Sequence, residues 1–73
     1  LNIKKGMSLL IYASEKLHAD AMCLLAEFCF YGKNIKIDKV KSISLLTKAK
    51  EMNHEKSKIL YYKFKSELNN NNI

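Results

Sequence analysis

Two cysteines and two histidines are the residues of this 73-residue chain whose chemistry could serve catalysis or metal binding. Cys23 and Cys29 lie six positions apart, which places them roughly 240° apart around a single helix, so they cannot bond to each other within it. We expect both to be reduced thiols in the core. Reduced cysteines favour the cytoplasm or another reducing compartment, and the sequence leaves the localisation otherwise open.

The histidines, His18 and His54, each stand just before a stretch with helical periodicity. We expect them to cap helix starts or to shape turns. The spacings Cys-x-x-Cys and His-x-x-x-His, which metal sites favour, do not occur in the sequence. A glycine-rich phosphate loop and paired acids on an inner face are missing as well. The sequence therefore predicts no metal, no cofactor, no small-molecule substrate and no enzymatic activity.

The basic character of the chain comes from lysine alone. There are 13 lysines and no arginine, and the formal net charge is +6. Such a charge is typical of proteins that bind nucleic acids or acidic membranes. Lysine, asparagine and isoleucine are also enriched by an AT-rich coding bias, which weakens that interpretation. The longest apolar run, residues 21–31, is much shorter than the ~20 residues of a membrane span.

Four tyrosines lie near lysines, which is one way to build a surface that stacks nucleic-acid bases. At helical spacing we instead expect them to pack against neighbours, with their hydroxyl groups at the surface. They are Tyr12, Tyr31, Tyr61 and Tyr62.

A repeat of 36 positions organises the chain. Shifting the sequence by that length aligns eleven identical pairs without a gap, nine of them within residues 5–64, and a fixed period of this length is typical of helical repeat proteins. Those nine pairs are Lys5/Lys41, Ser8/Ser44, Leu9/Leu45, Leu10/Leu46, Ala13/Ala49, Glu15/Glu51, His18/His54, Leu24/Leu60 and Phe28/Phe64.

Apolar periodicity predicts helices over residues 4–17, 19–31, about 39–52 and 54–68, with a turn at Gly32 and an N-cap at Asp38. We expect an all-α fold: an αα-superhelix (solenoid) fragment of four antiparallel helices. It comprises a half unit (1–17), a full unit (18–53), a half unit (54–68) and a disordered asparagine-rich tail (69–73). It should belong to a longer repeat protein.

The second helix should be the centre of the structure because it is apolar on nearly all sides. We expect Leu24, Leu25 and Phe28 to be buried between helices, and Ala13 and Ala49 to lie where helices approach closely. Helix four has one apolar stripe, which suits a capping helix. That stripe is Leu60, Tyr61, Phe64 and Leu68.

Residues 21–57 carry a characteristic series, namely Ala21, Leu25, Ala26, Cys29, Gly32, Lys33, Asn34, Ile35, Asp38, Ser42, Leu45, Leu46, Ala49, Lys50 and Asn53, with Ser57 opening the next period. This series resembles the Sel-1-like repeat, a relative of the tetratricopeptide repeat with two antiparallel helices per unit. Ala26, Cys29, Asn34, Leu45 and Asn53 replace residues that the family favours, although asparagine tolerates the left-handed backbone of the glycines it replaces.

The resemblance implies a protein–protein interaction scaffold or adaptor. We expect a protein or peptide partner, held by an apolar surface of Met22, Ala26 and Phe30 and oriented by lysines. Self-association through exposed repeat ends is a further expectation. One alternative is an RNA-binding helical repeat, which the apolar second helix and the absence of arginine disfavour. A structural subunit of a larger assembly would have the same sequence features.

Overall fold

A computed structural model describes residues 3–70 of the chain, with side chains for residues 4–69. It contains four helices, α1 (Ile3–Glu15), α2 (Ala19–Tyr31), α3 (Lys39–Glu51) and α4 (Glu55–Asn70), and the described residues include no strand. The predicted all-α fold is therefore confirmed. Helix α4 extends through Asn69 and Asn70, which the sequence assigned to a disordered tail, and the rest of that tail lies outside the described residues.

The two short turns, between α1 and α2 and between α3 and α4, have equivalent backbone hydrogen bonds. The N–H of His18 donates to the carbonyl of Ala13, and 36 positions later the N–H of His54 donates to the carbonyl of Ala49. The other backbone hydrogen bonds of the two turns are related by the same shift. The N–H of Lys16 donates to the carbonyls of Tyr12 and Ala13, and the N–H of Met52 donates to those of Lys48 and Ala49. Likewise, the N–H of Leu17 donates to Ser14, and the N–H of Asn53 donates to Lys50. The 36-residue period of the sequence is thus also a period of the backbone.

Each turn needs one residue in the left-handed region. Asn53 has φ 64° and its equivalent Leu17 has φ 61°. A left-handed backbone brings Cβ close to the following carbonyl oxygen, which glycine and asparagine tolerate better than leucine. Leu17 therefore carries backbone strain that Asn53 avoids.

Replacing Leu17 with asparagine should raise the free energy of unfolding by about 1 kcal/mol, because this relieves the strain of a left-handed leucine. The leucine side chain is largely exposed, so little packing is lost. Urea denaturation measures the change. The control is Leu9→Asn, at a similarly exposed leucine inside α1, which should destabilise because asparagine is a poor helix former. Equal destabilisation by both substitutions would contradict the prediction.

The longer turn between α2 and α3 follows from three residues. Gly32 ends α2 with φ 71°, and its N–H donates to the carbonyl of Phe28. Asn34 is left-handed as well, with φ 61°. The carboxylate of Asp38 accepts from the N–H of Lys41 at 2.9 Å, so the predicted N-cap is confirmed. This cap satisfies a backbone donor that the first turn of α3 would otherwise leave free.

Helix α2 is the centre of the structure, as the sequence predicts, because it contacts all three other helices. However, the side of α2 that was predicted to be buried is not the side that forms the core. Leu25 is buried, but Leu24 is 43% exposed and Phe28 is only half-buried. The residues of α2 that form the core are Met22, Cys23, Leu25, Ala26, Cys29 and Phe30. At 100° per residue Leu24 points roughly opposite the middle of this set.

Aromatic stacking joins α2 to α4. The ring of Phe30 lies 3.9 Å from that of Phe64, centroid to centroid, at an interplanar angle of 10°. Tyr31 meets the Phe64 ring edge-on at 5.5 Å. Phe64 has no exposed surface, so the predicted apolar stripe of α4 is centred on it. Leu60, Tyr61 and Leu68, the rest of that stripe, pack against the core as half-buried residues.

The two alanines expected where helices approach closely differ in burial. Ala49 of α3 is fully buried, whereas its equivalent Ala13 in α1 is half-buried. Val40 of α3 is 83% exposed. Among the described residues, no helix combines the length and the apolar character that crossing a membrane requires.

Candidate functional site

The three residues expected to hold a partner lie inside the protein. Met22, Ala26 and Phe30 are 1%, 0% and 3% exposed. Helices α3 and α4 cover this side of α2, and the hydroxyl of Ser42 on α3 donates to the carbonyl of Ala26 at 2.7 Å. The expectation that these side chains form a surface is therefore wrong. Their apolar character reflects their place in the core, and only Met22 also lines an open groove.

Both cysteines are free and buried, as the sequence predicts. Burial raises the pKa of each thiol above the ordinary value of 9.0, because the thiolate loses solvation inside the protein. A hydrogen bond from Ser57 opposes this shift at Cys23, and the charge of Lys41 opposes it at Cys29. Since the thiolate is the nucleophile, neither side chain is suited to nucleophilic chemistry.

We expect both thiols to react slowly with an aromatic disulfide reagent at pH 8 in the folded chain, and quickly once urea unfolds it. An added thiol from Leu24→Cys, on the exposed side of α2, should react quickly without urea. Because the pKa of each thiol is higher in the folded chain than in the unfolded chain, the protonated thiols favour the folded state below pH 9.0. This contribution to stability is lost as the pH rises through the raised pKa values. Rapid modification of the unsubstituted folded chain would contradict the prediction.

A chain of polar side chains crosses from α2 to α4. His54 contacts the hydroxyl of Ser57 through Nδ1 at 2.7 Å and the carboxylate of Asp20 through Nε2 at 2.6 Å. The side chain of Ser57 also offsets part of the rise in the pKa of Cys23. The expected role of His54 at a helix start is confirmed, since it directly precedes α4. Its equivalent His18 is the N-cap of α2 but makes no side-chain capping bond.

The order of acid, histidine and hydroxyl is that of a serine-hydrolase triad, yet the geometry does not suit catalysis. The Ser57 hydroxyl would have to reach a substrate carbonyl, and Ser57 has no exposed surface. The chain of contacts instead satisfies a buried hydroxyl and ties the start of α4 to the start of α2. An ion pair between Lys56 and Glu27, with the nitrogen and oxygen 3.5 Å apart, adds a second link between these helices.

A concave feature of the described residues is a groove between α1 and α3, which we call the α1–α3 groove. Its floor is formed by Met22 and Leu25 of α2, and its volume is about 520 Å³. Helices α1 and α3 both contact α2, and no contact joins α1 to α3 in the described part of the chain. The space above α2 therefore stays open between them.

One wall of the groove is a single stripe of α3. Lys41, Leu45 and Lys48 follow the i, i+4, i+7 spacing that places residues on the same helix face. Ile11 and Glu15 belong to the opposite wall, on α1. Both lysines are exposed and form no ion pair with any residue that the structure describes. The groove thus combines an apolar floor with free positive charge on one side.

A smaller cavity of about 280 Å³ lies between α3 and α4, beside Val40 and Leu68, and is lined mainly by apolar atoms. Within the described residues, no group of three or more histidine, cysteine, aspartate or glutamate side chains is placed to hold a metal ion.

No protein-family model, no curated protein and no solved structure matches this chain.

Proposed function

We propose that the chain is a protein–protein interaction module, a scaffold or adaptor built from Sel-1-like repeats within a longer repeat protein. The observation that carries the proposal is the open α1–α3 groove, whose walls belong to two successive helix pairs and present Ile11, Leu17 and Leu45 as accessible apolar side chains. Stacked helix pairs of this kind present extended surfaces that partners can follow. The repeated backbone of the two short turns supports the αα-repeat part of the proposal.

Both end helices of the described stack expose apolar side chains. Helix α1 leaves Leu9 and Tyr12 largely exposed, and α4 leaves Ile59 and Tyr62 largely exposed. We propose that copies associate through these exposed repeat ends. Sedimentation of a stable monomer at high concentration would contradict this.

RNA binding is the second candidate, and one observation favours it. Tyr12 and Tyr62 are largely exposed, and lysine side chains lie over both rings, with Lys16 at 5.3 Å and Lys50 at 6.0 Å from the ring centroids. Exposed aromatic rings beside positive charge can stack bases. Without arginine, however, the chain offers no bidentate group to read guanine or grip phosphate.

Peptide selection and RNA titration separate the two candidates. The chain is used to select peptides from a random display library, and synthetic copies are titrated at 50 and 200 mM salt beside a random single-stranded RNA. We expect peptides held by apolar contacts to keep most of their affinity at the higher salt. Non-specific RNA binding should fall steeply, because its affinity comes from counterion release. Tight, sequence-selective RNA binding, with no peptide selected, would overturn the proposal.

A further inference from the structure

We propose that the α1–α3 groove binds an acidic, extended peptide segment that places carboxylates against Lys41 and Lys48 and apolar side chains against the accessible apolar residues of the groove walls. The inference rests on the proposed function, and it names the chemistry of the partner. Four features of the groove carry it: its charge, its spacing, its apolar walls and the partial recurrence of its α3 wall within the chain.

The charge of the α3 wall selects an acidic partner. Lys41 and Lys48 point into the same groove and have no acidic partner among the described residues. Two unpaired cations beside an apolar floor attract carboxylates, and the net charge of +6 strengthens this attraction over the whole surface. Glu15 on the opposite wall disfavours a carboxylate there, so acidic side chains should lie along α3.

The spacing of the two lysines sets the spacing of the carboxylates. Seven positions along a helix correspond to about 10 Å. A polyproline II segment rises about 3.1 Å per residue and has three residues per turn, so it covers that distance in about three residues and places both carboxylates on one side. The segment should therefore carry acidic residues three positions apart, with apolar residues between them.

The apolar side chains that a peptide can reach line the walls of the groove. Leu17 is 57% exposed, and Ile11 and Leu45 are half-buried, whereas Met22 and Leu25 of the floor are each 1% exposed. The volume of about 520 Å³ falls within the range of about 300–1,000 Å³ that is typical of ligand pockets.

Part of the α3 wall recurs one repeat earlier. Lys5 and Leu9 of α1 are the equivalents of Lys41 and Leu45, and both pairs are identical, whereas Lys48 corresponds to Tyr12. Core packing accounts for identical pairs such as Leu10 and Leu46. It does not account for Lys5 and Leu9, which are exposed. A lysine–leucine pair on the equivalent helices α1 and α3 is thus a repeated feature.

The probe is a fluorescent peptide with the sequence Ser-Asp-Leu-Phe-Asp-Ser, titrated against the full chain by anisotropy at 50 mM salt. Its controls replace both aspartates with asparagine, or both apolar residues with serine. We expect the double substitution Lys41→Glu, Lys48→Glu to weaken binding about tenfold or more, since two ion pairs are lost and repulsion replaces them. The matched control, Lys63→Glu with Lys65→Glu, makes the same change in net charge on α4 and should alter binding less than about twofold.

A charge-swap experiment distinguishes direct contact between the probe and the two lysines from a general structural effect of the substitutions. A probe with lysines in place of the aspartates should bind the Lys41→Glu, Lys48→Glu chain better than it binds the unsubstituted chain. The groove assignment would be overturned if Lys63→Glu with Lys65→Glu weakened binding of the acidic probe equally. It would also be overturned if the lysine probe bound the Lys41→Glu, Lys48→Glu chain no better than the unsubstituted chain. Displacement of the acidic probe by a uridine dodecamer at 150 mM salt, with higher affinity than the peptide, would assign the groove to nucleic acid instead.

These outcomes distinguish failure of the inference from failure of the proposed function. If display selection yields peptides whose binding ignores both lysine pairs, the interaction module stands and the groove assignment falls. If neither the selected peptides nor the acidic probe binds up to millimolar concentration, both are overturned.

Discussion

Replacing Phe64 with alanine should lower the free energy of unfolding by about 3 to 5 kcal/mol, the range for truncating a buried phenylalanine. Phe64 has no exposed surface and stacks on Phe30 at 3.9 Å, so the substitution removes the main apolar contact between α2 and α4. At roughly 0.05–0.15 kcal/mol per residue, a chain of 73 residues has about 4 to 11 kcal/mol of total stability. The loss should consume a large part of it.

The repeat supplies the control for this experiment. Phe28 is the equivalent of Phe64 one unit earlier, but it is only half-buried, so Phe28→Ala should cost clearly less. Tyr62→Ala, at a largely exposed ring on α4, should cost least. Urea denaturation followed by circular dichroism measures all three changes. A larger loss at Phe28 than at Phe64 would show that α4 does not pack on α2 as described.

The second large effect is expected at Leu46, where substitution by alanine should cost about 2 to 5 kcal/mol. Leu46 is fully buried in the cluster that also contains Cys23, Ala26, Phe30 and Phe64. Removing its side chain leaves a cavity at the meeting point of α2, α3 and α4. Because rigid neighbours close such a cavity only partly, the cost exceeds the simple loss of apolar burial.

Leu10→Ala is the matched substitution one repeat earlier, at a half-buried position of α1, and should cost less. Val40→Ala, at an exposed position of α3, should change stability by less than about 0.5 kcal/mol. If Leu46→Ala leaves too little folded protein to measure, the milder Leu46→Val keeps the comparison quantitative. Equal losses at Leu46 and Leu10 would contradict the observed position of the core.

The helices were predictable because their signals are local. Apolar periodicity located all four, and turn chemistry placed the residues between them: Asp38 caps α3, Gly32 is left-handed, and asparagine takes the left-handed positions at 34 and 53. The start of α4 differs from prediction by one residue, and its end lies beyond the predicted residue 68. Helix ends depend on a few weak bonds, so such differences are expected.

The polar link between α2 and α4 was not predicted. His54 was assigned to a helix start, but its contacts with Asp20 and Ser57 join residues 34 and 3 positions away. A signal was present, because Ser57 occupies the repeat position of Ala21, where a small side chain on the inner face suggests close packing. The sequence does not reveal which distant groups meet there, since this depends on the angle between the helices.

By itself, the sequence determined the elements of this protein and their 36-residue period, because helix formation, capping and left-handed turns depend on residues within a few positions of each other. Only the tertiary structure decided which side of α2 is core. That helix is apolar nearly all round, so its pattern is compatible with burial of either side, and the positions of α3 and α4 resolve the choice. They bury Met22, Ala26 and Phe30, expose Leu24, and leave the groove where α1 and α3 stand apart over α2.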